Sequence, residues 1–175
     1  MSLIRIASFG LLLMVSGCQY ISVHSSQMSA VISAFTSDSN ESVDSLWAVE
    51  YGGYAAVVQP IALESSTVFV NDIDAVAFDG WRITKVSGLN SFIPAWEIYD
   101  SGSERSFVVN GQVVATHQCD QWLKESVEIG VRFEQHCIGR SAYTNTILVD
   151  ILGQITDIEQ VVDSSLMVLR LRLNN

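Results

Sequence analysis

Hydrophobic and polar positions along this chain follow two different periods. Met28, Val31, Ile32 and Phe35 recur at i, i+3, i+4 and i+7, which predicts a short amphipathic helix that Ser25 or Ser26 can cap. Residues 36–45 (TSDSNESVDS) carry one apolar side chain among acids and hydroxyls and predict a linker. From Leu46 onward the spacing shortens to two, with frequent glycines and β-branched residues. Strands are predicted at 46–50, 54–60, 66–70, 75–78, 81–86, 96–99, 106–110, 112–117, 126–137, 144–151, 155–162 and 166–173. Asp79-Gly80 and Asn110-Gly111 each separate two such runs and predict tight hairpins, and Asp163-Ser164-Ser165 predicts a further turn. Val127, Ile129, Val131 and Phe133 alternate with Glu128, Gly130, Arg132 and Glu134, the pattern of one continuous half-buried strand. In the last run, Met167, Leu169, Leu171 and Leu173 form a fully apolar face that should close the core. Short strands at this spacing predict a mostly β fold, an antiparallel sandwich or barrel-like domain with one short N-terminal helix.

The first residues do not belong to that fold. Arg5 precedes an apolar run of about ten residues, far below the ~20 that a helix needs to span a bilayer. The run is therefore a processing segment. It ends in Val15-Ser16-Gly17-Cys18, which resembles a bacterial lipoprotein box. Cleavage there would leave Cys18 as the first mature residue, carrying three acyl chains that make anchoring essentially permanent. Gln19 follows, not Asp, and by resemblance to lipoprotein sorting this favours the outer membrane. An uncleaved anchor or an ordinary secretory peptide is the alternative. The expected organisation is a signal peptide at 1–17, a lipidated tether at 18–27 and a single β-rich periplasmic domain at 28–175.

Charge narrows the partners. Loss of residues 1–17 removes one basic residue, Arg5, so the formal charge moves from −10 to −11. Such a surface repels nucleic acid, so membrane contact should run through the lipid. The acids are scattered, as solubility requires, and form no acidic tail.

Once Cys18 is lipidated, Cys119 and Cys137 remain. A pair of cysteines in an oxidising compartment is most simply a disulfide. Free thiols are a second reading, and a metal site with His117 and His136 is a third. The adjacent His136 and Cys137 would point apart on a strand, which speaks against metal.

Signatures of serine hydrolases, zinc proteases, phosphate loops and dinucleotide sites are all absent from the sequence, so it predicts no enzyme chemistry, no metal and no cofactor. Asp72 and Asp74 could share a strand face, but no glycine loop or distal glutamate supports a calcium site, and a plain exposed turn is expected. Asp120 and Glu125 flank Trp122, an arrangement that suits sugar binding. The same tryptophan could instead fill the core, which is the commoner fate of a large aromatic in a small β domain.

The stretch Val76-Ala77-Phe78-Asp79-Gly80-Trp81-Arg82-Ile83-Thr84-Lys85-Val86-Ser87-Gly88-Leu89 resembles the YjbF/GfcB-type lipoproteins, with Trp81 standing as an insertion or substitution. A second stretch, Asn145-Thr146-Ile147-Leu148-Val149-Asp150-Ile151-Leu152-Gly153-Gln154-Ile155 followed by Glu159-Gln160, resembles that family's C-terminal hairpin, with Ile147 or Leu148 replacing its usual strand tryptophan. The lipobox, the helix and Tyr54-Ala55 extend the likeness. The resemblance implies a mostly β outer-membrane lipoprotein that assists exopolysaccharide or capsule secretion. It would act by contacting an exporter, another envelope protein or the polysaccharide, and no catalytic residue carries over. A structural or assembly lipoprotein of another envelope machine is the alternative.

Overall fold

The structure is a computed structural model that describes residues 45–174. The predicted helix, Cys18 and Gln19 lie outside those residues. Thirteen strands follow one another: β1 (Trp47–Tyr51), β2 (Tyr54–Leu63), β3 (Ser66–Val70), β4 (Ala75–Phe78), β5 (Ile83–Gly88), β6 (Phe92–Ser101), β7 (Glu104–Val109), β8 (Gln112–Cys119), β9 (Leu123–Val127), β10 (Gly130–Ile138), β11 (Ala142–Asp150), β12 (Ile155–Val161) and β13 (Val168–Leu173). No helix occurs among the described residues.

The strands pair antiparallel around a closed ring. β13 pairs with β1, and β10 pairs with both β8 and β11. β8 and β9 share one flank of β10. Cys119 lies opposite Cys137, whereas Leu123 to Val127 lie opposite Glu134 to Gly130. The two strands thus act as one ring position, broken at residues 120–122, and the result is a 12-strand antiparallel barrel. Of the two predicted architectures, the barrel is the one found. Closure removes the free edges that an open sheet would present for unwanted pairing.

Inward-facing residues alternate with outward ones as the sequence period requires. Trp47, Val49, Phe69, Val76, Phe78, Ile83, Phe107, Ile147, Ile158, Leu169 and Leu171 are all buried in one cluster. Each such side chain contributes about 1.5–3 kcal/mol relative to its exposed state. Leu169 and Leu171 close the core as the tail pattern predicts, but Met167 precedes β13 and is exposed.

The barrel is collapsed on itself. β5 and β12 lie on opposite sides of the ring, yet they touch through Gln160. Its Nε2 donates to the Trp81 carbonyl (2.8 Å) and its Oε1 accepts from the Ile83 amide (3.0 Å). The β4–β5 connection therefore turns inward. Asp79 braces it by accepting from the amides of Trp81 and Arg82. The predicted Asp79-Gly80 hairpin is thus a four-residue loop, and β5 starts at Ile83 rather than residue 81. Asn110-Gly111 does form a two-residue hairpin, with φ of 51° and 74°.

One prediction is overturned. Residues 126–137 are not a single strand: the chain reverses at Glu128-Ile129, and Val127 pairs with Gly130. A two-residue turn flips side-chain parity, so Val127 lies on the face opposite Val131 and Phe133. Strict alternation in sequence reads straight through such a turn. Ile129, at the tip, is 61% exposed. Gly130 is required there, because a Cβ would strike the Val149 carbonyl.

Candidate functional site

Cys119 and Cys137 face each other across β8 and β10, with Cα atoms 4.0 Å apart, and form a disulfide. It locks the barrel where the β8–β9 position breaks, and closing that loop stabilises the fold by ~3 kcal/mol. The two histidines are elsewhere engaged. His117 is buried and its Nδ1 meets the Tyr143 hydroxyl at 2.9 Å, while His136 is exposed and meets Thr144 Oγ1 at 3.0 Å.

Trp122 is half-buried and turned toward the barrel, its ring 5.7 Å from that of Trp81. Trp81 in turn stands edge-on to Phe133 at 5.1 Å. Asp120 and Glu125 remain exposed, and Glu125 lies 3.9 Å from Arg132. The structure thus brings Trp122 to Trp81 and the core, and leaves the two carboxylates on the surface beside it.

Asp74 departs from the exposed turn expected of it. It is buried and accepts from the Tyr54 hydroxyl (2.7 Å), the Asn71 side-chain amide (2.8 Å) and the Leu89 amide (2.7 Å). Burial disfavours its charge, but these donors outweigh burial and hold its pKa below the usual carboxylate value. Asp72 stays on the surface. Gly88 makes room for this joint, since a Cβ there would collide with the Asp74 carboxylate and the Ile73 backbone.

A chain of charge runs from inside the barrel to its outer wall. Arg105, 1% exposed, faces inward on β7 and donates to Asp100 through Nε (3.0 Å) and Nη2 (3.1 Å). Asp100 also pairs with Arg82 (3.5 Å), which pairs with Asp79 (2.7 Å). Burial and the Arg105 charge lower the pKa of His117, and burial raises that of Tyr143 to about 12. Phe107 packs on the His117 ring at 4.7 Å, and Gly139 is held against that ring so closely that a Cβ would approach it to 2.6 Å. These contacts make the cluster a packed structural network.

Where Arg82 and Asp100 reach the surface, an open groove of about 330 Å³ runs over β4, β5 and β6. Ala77 and Thr84 line it together with Lys85, Glu97 and Tyr99. Tyr99 is 55% exposed and donates its hydroxyl to Glu97 Oε2 (2.7 Å). Lys85 donates to Glu97 Oε1 (3.0 Å) across the strand pair. The Tyr99 and Lys85 hydrogen bonds hold the Glu97 pKa below its ordinary value. An aromatic face beside a fixed carboxylate, an ammonium and a hydroxyl can pack on the C–H face of a sugar and hydrogen-bond its hydroxyls. No motif in the sequence marks this trio. Its signal was the alternation of Glu97 and Tyr99 with Trp96 and Ile98, which places the polar pair on the outer face.

The fold is shared with a solved protein. The hypothetical lipoprotein YmcC from Escherichia coli K12 superposes with a TM-score of 0.54, covering 76% of this chain and 85% of its own at 15% identity. No protein-family model and no curated protein sequence matches the chain. At this identity the likeness establishes the barrel fold alone.

Proposed function

We propose that the protein is an outer-membrane-anchored accessory lipoprotein of exopolysaccharide or capsule secretion, acting through protein or glycan contacts and not by catalysis. The observation that carries this is the conjunction of the Cys18 lipobox with a barrel of the fold seen in a bacterial lipoprotein. The polysaccharide role draws on the YjbF/GfcB-like stretches, the first of which supplies the inward β4–β5 loop and Lys85 of the groove.

The groove supports contact over catalysis. Both Glu97 oxygens are engaged by Tyr99 and Lys85, so the carboxylate is held ionised and oriented, in the manner of a recognition group. Capture of the lipidated protein from native envelopes tests the proposal. Components of a polysaccharide exporter, or the polysaccharide, should co-purify, and a Tyr99→Ala, Glu97→Ala double variant should recover less. Recovery of another envelope machine in their place would overturn it.

A further inference from the structure

The outer wall of β2, β3 and β4 differs from the rest of the barrel. Its outward positions include Val57, Ile61, Leu63, Val68, Val70 and Ala77, with Gln59 and Ser66 as polar members, and no outward residue of these three strands is charged. Val57, Ile61 and Leu63 are about half exposed, at 51%, 49% and 57%. Register places Ile61 beside Val68 and Val68 beside Ala77, so the bulky row steps down to a small side chain. By contrast, the outer face of β12 and β13 carries Asp157, Glu159, Arg170 and Arg172 in one ion-pair network. In a chain of formal charge −10, three adjacent strands whose outer face is uncharged and mostly apolar, interrupted by Gln59 and Ser66, mark a surface meant to be covered.

Where the chain enters the barrel indicates what covers it. β1 pairs with β2 only along residues 54–58, so the stretch 59–63, with Ile61 and Leu63, projects past the first residue of β1. Ser45 and Leu46, the first described residues, enter the barrel beside that stretch. Pro60 within the stretch lacks an amide donor, which suits a flank not covered by a ladder. Upstream lies the linker 36–45, and before it the segment 28–35, whose apolar stripe has no charged residue. Ten linker residues reach up to ~30 Å, whereas neighbouring strands are only ~4.8 Å apart. The segment is thus long enough in reach, apolar on one face and uncharged like the wall.

We propose that residues 28–35 dock as an amphipathic helix on this wall, with Met28, Val31, Ile32 and Phe35 against β2 and β3. The docked segment borders the Tyr99 groove through Ala77. It also shortens the free tether between the lipid at Cys18 and the barrel, and so fixes which side of the barrel faces the membrane. The docking itself does not depend on the polysaccharide role.

A photoreactive benzoylphenylalanine at Ile61, in the full-length lipidated protein in native membranes, tests the docking. Irradiation should give an intrachain cross-link that peptide mass mapping places within residues 28–35. A Val31→Asp, Ile32→Asp double variant should abolish that product, and the same probe at Ile138 on β10 should not give it. Cross-links from position 61 to a second copy, to another protein or to lipid would overturn the proposal. So would a product that persists in the double variant.

Discussion

Gln160 near the end of β12 and Ile83 at the start of β5 are hydrogen-bonded across the barrel interior, although their strands stand on opposite sides of the ring. Gln160 satisfies one backbone donor and one backbone acceptor of the inward β4–β5 loop, the Ile83 amide and the Trp81 carbonyl. A Gln160→Leu variant keeps the volume but leaves both groups buried without a partner. It should lose about 2–4 kcal/mol of stability. Denaturant titration measures this, and an unchanged midpoint would show that the crossing is not a structural tie.

Trp122 should behave as a packing residue. It rests on Trp81, which Gln160 holds in place by its carbonyl. Because the ring is only half-buried, Trp122→Ala should cost about 2–3 kcal/mol, less than the ~3–5 kcal/mol for a fully buried aromatic. Urea unfolding of the variant checks this. Wild-type stability would return Trp122 to the surface, together with Asp120 and Glu125.

Stability should fall on mild acidification because of His117. Burial, then the Arg105 charge, depresses its pKa in the folded state. The unfolded chain therefore binds a proton first, near pH ~6.5. The stabilisation is full above that pH and is lost as pH falls toward the folded pKa. Unfolding free energies measured from pH 7.5 to 5 should decline, and His117→Gln should flatten the decline. An NMR titration placing the His117 pKa at or above 6.5 would contradict this.

Period-two patterning located most strands because one face of each packs into the lumen. It failed where local chemistry and tertiary contact disagree with it. The Glu128-Ile129 reversal lacks the usual turn residues at its tip, and the sequence alternation runs on from Val127 to Phe133 although the two faces swap at the turn. Trp81 read as the first residue of a strand because its inward course is set by Gln160, 79 residues away. Asp74 read as a surface acid because two of its three donors, Tyr54 and Leu89, come from separate segments. The disulfide was legible because two cysteines left few pairings. The Tyr99–Glu97–Lys85 groove was not, since it exists only once β5 and β6 are in register.

The most direct test of the account is the amount of polysaccharide the native host exports. In a strain lacking this protein, surface or secreted polysaccharide should fall several-fold. The wild-type chain should restore it, and Cys18→Ser, which removes the proposed acylation site, should not. Normal polysaccharide output in the strain lacking the protein would contradict the proposed role.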